Sequence, residues 1–421
     1  MLAPYWRLVR DNRNFRRLWL AQVVSELGDW FYTLSIYSLL LDLTGRATLV
    51  GVALVLQVLP QTLVAPTAGV LNDRLRRKQV MIAADLARVA IVLGMLLVRT
   101  KSEVWLVFPL LFLEAVMAAF FEPARNSVIP NIVGESDLLR ANTLASATWC
   151  VNLAMGALFG GVAGAVLGRN AVFLLNAASF LASAVLIRSM RFDEPHLEGA
   201  PAFHPRELVD FSPIMEGLRY IRGDKRVLPT VFVKCGIGLS GANNVILPIM
   251  GTRIFPVHWN GLAPDRGALL GMSFLIAARG VGALFGPIAG GAWAGERTER
   301  LRGGILIGFL VAAAGYTSLS WAPNIGVAIA CVLLGNFGMS SNWVFSTTLL
   351  QVSTEDRFRG RVFAAEIGLL TLTIAISGYT AGVCNDWGVP VRVLAFANGA
   401  VALVPAAAWA VAMRRGGRMK S

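Results

Sequence analysis

The chain has 421 residues, 56% of them hydrophobic and only 15% charged, with a formal net charge of +13. At a mean hydropathy of +0.62 it is not a soluble domain, because one core cannot keep that much apolar surface out of water. The surplus of Lys and Arg raises nucleic acid as a partner, but its placement along the chain excludes that reading.

Twelve apolar runs, each able to cross a hydrocarbon layer of about 30 Å as a helix, lie at 17–42, 47–71, 79–98, 104–122, 143–167, 171–188, 227–250, 267–292, 303–321, 324–347, 362–383 and 391–412. The expected fold class is an all-α polytopic membrane protein. The arm before the first run, MLAPYWRLVRDNRNFRR, lacks a compact apolar segment with a cleavage site, so no removable signal peptide is expected. The first span carries Glu26 and Asp29 one turn apart, with Trp30, Tyr32 and Tyr37 beyond them; the second carries Gln57. Between the second and third lies GVLNDRLRRK, residues 69–78, which sets Asp73 before Arg74, Arg76, Arg77 and Lys78. In the third span Asp85 and Arg88 stand one turn apart, a spacing at which they neutralise each other as a structural ion pair.

Glu114 lies in the fourth span. After the sixth comes a polar linker, 189–226, in which Phe211, Ile214, Met215, Leu218 and Ile221 fall at helical spacing, as in an amphipathic helix lying on the membrane surface. The seventh span brings Lys234, shallow enough to snorkel, and Asn243 and Asn244. Arg279 is deep in the eighth with no local partner, Asn336 and Asn342 are in the tenth, and Glu366 is near the start of the eleventh.

Most Lys and Arg fall in the N-terminal arm, the 69–78 loop, the linker, RTERLR at 297–302, RFRGR at 357–361 and the tail. The positive-inside bias puts that side, and both termini, in the cytoplasm. The four cysteines are scattered and the three histidines form no ligand spacing, so neither a metal nor another cofactor is expected. No GxxxxGK[ST] loop and no catalytic set at membrane depth occurs, which argues against ATP-driven pumping and against a membrane-embedded enzyme.

A charge near the bilayer centre costs at least ~2.5–3.5 kcal/mol. Asp29, Glu114 and Glu26 are therefore candidates for loading and releasing a proton, the alternative being structural groups bonded to neighbours. Trp30, Tyr32, Gln57, Asn243, Asn244, Arg279, Asn336 and Asn342 are the candidate substrate-cavity residues. Arg279 can pair with a carboxylate or hold an anionic group of the substrate; asparagines within a bundle also bond other helices. A lining of aromatic and sparse polar groups suits an amphipathic molecule better than a sugar.

APTAGVLNDR around Pro66 returns as GPIAGGAWAGER around Pro287, and Asp137-x-x-Arg140 returns as Asp356-x-x-Arg359 at nearly the same offset. Two matches at one offset indicate a duplication, as in secondary transporters. The expected organisation is a six-helix bundle at 1–188, a cytoplasmic linker at 189–226 and a second bundle at 227–421.

GVLNDRLRRK resembles the loop between helices 2 and 3 of the major facilitator superfamily, G-x-x-x-D-[RK]-x-[GR]-[RK]-[RK], at Gly69, Asp73, Arg74, Arg76, Arg77 and Lys78. NFRRLWLAQVVSELGDW, EPARNSVIPNIV, DLLRAN and LLQVSTEDRFRGRVF are similar to the bacterial branch that holds macrolide-efflux proteins and the enterobactin exporter. The resemblance implies twelve helices in two pseudo-symmetric bundles, in the inner membrane of a bacterium. It implies secondary transport of a small amphipathic substrate by alternating access, export coupled to protons, and a monomer; lysolipid transport is the alternative. It also implies a cytoplasmic gate of Gly69, Asp73, Arg74, Arg77, Lys78 and Glu366, with Asp73 meeting the start of helix 11 near 360–362. The second half carries Ala294 where Asp73 would recur. The GPxxGG run of antiporters has only GALFGG, residues 156–161, at the expected place, while GPIAGG occurs at 286–291; close helix packing explains both runs.

Overall fold

The computed structural model describes residues 3–194, 212–224, 227–258, 263–294 and 297–418. They form sixteen α-helices: α1 Ala3–Asp11, α2 Arg13–Thr44, α3 Ala47–Arg74, α4 Arg77–Gly94, α5 Val107–Ile132, α6 Glu135–Leu167, α7 Arg169–Arg188, α8 Ser212–Gly223, α9 Val227–Leu239, α10 Asn243–Arg253, α11 Pro264–Ala294, α12 Thr298–Ser318, α13 Ile325–Ser353, α14 Asp356–Asp386, α15 Val391–Val401 and α16 Leu403–Arg418. Eleven stretches among the described residues are long and apolar enough to cross a membrane. Helix α2, at the expected first span, is 32 residues long, and Gln22, Glu26, Asp29, Ser35 and Ser38 dilute its apolar character.

Two spans that read as single helices are interrupted. The seventh is α9 and α10 joined by a 3-10 turn, Ser240–Ala242, where the run CGIGLSGA is rich in glycine, the residue that pays most to be helical. The twelfth breaks at Ala402, because Pro405 lacks the N–H that the Val401 carbonyl would need. Prolines inside α3, α5, α10 and α11 are tolerated, since neighbouring helices satisfy the freed carbonyls of a membrane helix. Gly45 and Gly168, at φ 68° and 84°, make the short turns from α2 to α3 and from α6 to α7 in conformations a side chain would strain.

The chain divides into two compact units, Met1–Thr44 with Leu56–Asp210, and Gly45–Val55 with Phe211–Ser421. In the first, α2 packs on α6 and α7, and α4 on α5 and α7. Gly28 lets α2 close on Asn176 and Ser179 of α7, and Gly156 and Gly160 lie against Trp30 and Phe31. The GALFGG run is thus a packing face. In the second unit α13 packs on α11 and α12. Gly286 and Gly290 face Phe337, Ser340, Ser341 and Phe345, so GPIAGG is likewise a packing seam. The start of α3 belongs to this unit too: Ala47 and Thr48 donate their backbone N–H groups to the Asp386 carboxylate, both at 2.8 Å, an N-cap supplied from α14.

Helix α8 differs from the surface-lying helix expected of the linker. Leu218 and Ile221 join a core with Val227, Val231, Leu350, Val362 and Ala365, and Tyr220 stacks on Phe358 with ring centroids 4.5 Å apart. Leu218 and Ile221 of its apolar stripe are taken up by protein, while Met215 stays exposed; the side chains of Phe211 and Ile214 lie outside what is described. The linker's other predicted positions, 195–211, lie outside the described residues.

The α12–α13 seam yields a sharp expectation. A Cβ on Gly338 would lie 2.3 Å from the Gly308 carbonyl oxygen, whereas one on Gly291 would meet nothing within 4 Å. Gly338→Val should abolish the monodisperse peak in fluorescence-detected size exclusion, since overpacking costs about 1–3 kcal/mol even where side chains can yield. Gly291→Val should leave the peak intact. Equal behaviour of the two variants would contradict the seam.

Candidate functional site

The charged residues predicted within the spans of the first unit gather in two neighbouring groups. Arg88 of α4 stands at the centre of one. Its Nε is 3.5 Å from Glu114 of α5, and its Nη1 is 3.8 Å from Asp85. Its guanidinium also lies over the rings of Phe180 and Phe121, 4.9 and 5.4 Å from their centroids. Asp85 accepts a 2.6 Å hydrogen bond from Ser183 of α7. Asp29 has the charges of Arg88, Glu114, Glu26 and Asp85 as its electrostatic neighbours, and its buried Oδ1 has no hydrogen-bond partner among the described residues. Arg88 is thus shared, not spent on Asp85 as the one-turn spacing implied. Glu114, on the next helix, faces the same cation.

The second group is built on Arg125 of α5. Its Nη1 lies 3.1 Å from Glu26 and its Nη2 lies 2.7 Å from Glu122. Glu26 also accepts hydrogen bonds from Gln22 and Asn152. Sequence reasoning passed over Arg125 and Glu122; their (i, i+3) spacing inside EPAR was the available signal. The two groups together set five carboxylates against two guanidiniums.

The remaining first-unit candidates are less open than expected of a cavity wall. Tyr32 is 1% exposed and packs edge-on against Phe173. Trp30 meets Trp149 at 6.4 Å, edge to face. Gln57 accepts from the Tyr37 hydroxyl at 2.7 Å.

In the second unit, Lys234 of α9 and Glu366 of α14 form a buried ion pair, Nζ to Oε2 at 2.8 Å, exposed by 2% and 0%. Trp343 and Phe363 close over the ammonium, with ring centroids 4.5 and 5.6 Å away. Both readings from sequence need correcting. Lys234 does not snorkel, and Glu366 is engaged inside the bundle rather than at the expected gate, because each neutralises the other. Asn342 is fully buried against the backbone of Ile305 and Phe309, where Gly308 leaves room for it. It joins α12 to α13 and does not line a cavity. Arg279 of α11 donates from Nη1 to Asn244 at 2.6 Å, and its backbone carbonyl accepts from Asn336 at 2.7 Å. Asn243 is 2% exposed with neither amide atom partnered among the described residues.

The 69–78 loop departs from expectation as well. Gly69 lies within α3 with open space where its side chain would go, so no close approach requires it. The helix runs on to Arg74, leaving only Leu75 and Arg76 as the connection. Arg77 donates to the carbonyls of Asn72 and Ser127, and Lys78 to that of Met190. Arg77 thus ties the end of α3 to α5, and Lys78 reaches the stretch after α7, all within their own unit. The Asp73 side chain, and with it the expected contact to helix 11, lies outside what is described. Among the described residues no group of His, Cys, Asp and Glu is placed to hold a metal, and all four cysteines are free.

Long apolar helices, a broken seventh span and charge clusters confined to bundle interiors are the build of a secondary transporter. The sequence profile of the Major Facilitator Superfamily matches residues 18–377. The chain belongs to the major facilitator superfamily. It is therefore a multi-pass membrane transporter of a small-molecule substrate and not an enzyme. Among superfamily relatives it is 27% identical to the MFS-type transporter YkuC of Bacillus subtilis (strain 168) over 374 residues, 86% of this chain and 85% of that one. It is 25% identical to macrolide efflux protein A of Streptococcus pyogenes over 384 residues, 88% of each chain. The fold matches a crystal structure of a mutant of the nucleoside transporter NupG with a TM-score of 0.78, covering 95% of this chain and 99% of that one at 8% identity. That likeness extends to the superfamily fold alone.

Proposed function

We propose that the protein is a proton-coupled exporter of an amphipathic small molecule. It works by alternating access as a monomer in a bacterial inner membrane, with both termini in the cytoplasm. The observation that carries the coupling is the arrangement in the first unit, where Asp85 and Glu114 share one buried guanidinium and the buried Oδ1 of Asp29 has no hydrogen-bond partner among the described residues. Carboxylates that outnumber the cations beside them repel one another strongly in a medium of low dielectric. A proton taken up by Glu114 or Asp29 removes that repulsion and frees Arg88 for the carboxylates that remain charged. Its loss restores the competition. Each proton thus reorganises the contacts among α2, α4 and α5. The name of the streptococcal relative supports export, and the run of basic loops supports the orientation.

The test is internal pH in proteoliposomes under an imposed proton gradient, with a macrolide, a cationic dye, a siderophore and a lysolipid added in turn. One of the first three should discharge the gradient, and the double variant Asp29→Asn, Glu114→Gln should abolish the response. Proton-coupled transport unchanged in that variant would overturn the coupling. Lysolipid crossing without proton movement would replace the exporter reading with that of a lipid transporter.

A further inference from the structure

Every other deeply placed cation described above has an acid beside it: Arg88 has Glu114, Arg125 has Glu26 and Glu122, and Lys234 has Glu366. Arg279 does not. It lies at the midpoint of α11, fifteen residues from either end and so about 22 Å of helix from each. No carboxylate pairs with it among the described residues. Its side-chain partner is a neutral amide, Asn244 Oδ1 at 2.6 Å.

The backbone that carries the cation is also fixed. Asn336 of α13 donates to its backbone carbonyl, and the Tyr316 hydroxyl of α12 donates in turn to Asn336, at 3.4 Å. One turn on, Gly282 brings α11 so close to α13 that a Cβ there would lie 2.5 Å from the Leu333 carbonyl oxygen. Asn244 is fixed from its other end, because its Nδ2 donates to the Gly241 carbonyl exposed by the 3-10 break in the seventh span. Its neighbour Asn243 brings a second amide, buried and unpartnered, to the same interruption.

An uncompensated charge at this depth is costly and is kept for function. A guanidinium has five N–H donors in a planar fork, of which one is used on Asn244, so an oxyanion can still be held by two. Arg279 is half-buried, neither sealed in nor on the surface. One cation flanked by neutral amides balances a single negative charge, whereas a dianion such as a phosphate monoester would need a second.

We infer that Arg279, with Asn244, binds a singly charged oxyanion, a carboxylate or phosphodiester, carried by the amphipathic molecule that the transporter moves. This narrows the substrate to amphipathic acids, and it rests on the transport reading above. A soluble acid and an anionic lipid share this chemistry, and the experiment separates them.

The full-length protein in neutral detergent would be titrated by quenching of its tryptophan fluorescence with two matched pairs of probes. One pair is pyrenebutyric acid and its methyl ester; the other is lysophosphatidylglycerol and the monoacylglycerol of the same chain length, which lacks the phosphodiester. The expected result is that one acid binds at least tenfold more tightly than its neutral counterpart, and which acid does so identifies the source. Arg279→Gln should bring that acid down to the neutral counterpart, and Arg279→Lys should keep part of the preference. Asn244→Asp should also abolish it, by supplying the guanidinium with an internal carboxylate. If Arg279→Gln fails to fold, Asn244→Asp decides, since it keeps the arginine and adds a favourable pair. Equal binding of acids and neutral partners by the wild type, or a preference that survives in Asn244→Asp, overturns the inference. Binding is read without a gradient, so an anion preference in a protein that moves no protons sinks the coupling alone. Proton-coupled transport without an anion preference sinks only this assignment.

Discussion

Arg88→Met should be among the most damaging single substitutions in the first unit, at a cost of about 3–5 kcal/mol, the usual penalty for removing one partner of a buried charge pair. The side chain stands between Glu114 and Asp85 and packs its guanidinium on two phenylalanine rings. Methionine keeps some of that packing but leaves Asp85 and Glu114 without their shared cation, beside a buried Asp29. Thermal unfolding in detergent, followed by fluorescence, should show a fall of several degrees. Adding Glu114→Gln should recover part of the loss, because the closest orphaned carboxylate has then been neutralised. A melting curve for Arg88→Met that superimposes on that of the wild type would mean the cluster is not held by this cation.

Lys234→Met should be comparably damaging, at about 3–5 kcal/mol, because it strands Glu366 in a fully buried position. Here the pair is balanced one to one, and its surroundings are Trp343 and Phe363. The double variant Lys234→Met, Glu366→Met should therefore return to wild-type stability or exceed it, as buried ion pairs replaced by apolar groups of similar volume often do. The contrast with Arg88 is the point of the test. A one-to-one pair can be replaced by oil, but one cation shared between Asp85 and Glu114 cannot be removed together with a single acid. A double variant no more stable than Lys234→Met would show that the pair has a polar partner still to be accounted for.

What the sequence made legible follows from what periodicity and depth can report. Span length set the helices, and the cost of intramembrane charge singled out Asp29, Glu114, Glu26 and Arg279 before any coordinates. Which cation meets which acid was not legible, because that depends on helix adjacency. Asp85 and Arg88 advertise each other at one-turn spacing, yet Arg88 leans closer to Glu114 on the next helix. Lys234 and Glu366 are 132 residues apart and no local pattern joins them. The linker helix shows the same limit: an amphipathic stripe states that a face will be buried, not whether lipid or α14 buries it. The break at Ser240–Ala242 was hidden because a glycine-rich apolar run keeps its hydropathy whether or not it stays helical.

The basic loop at 69–78 bears on how the orientation of this protein can be manipulated. Arg77 and Lys78 are engaged with the carbonyls of Asn72, Ser127 and Met190, while Arg76 stands exposed. On the proposed orientation, the charges that direct the threading of the chain are thus, once folded, ties between helices. Neutralising Arg77 and Lys78 would confound a topology signal with a folding defect. Position 76 is where charge can be edited to steer threading while the finished bundle stays fastened.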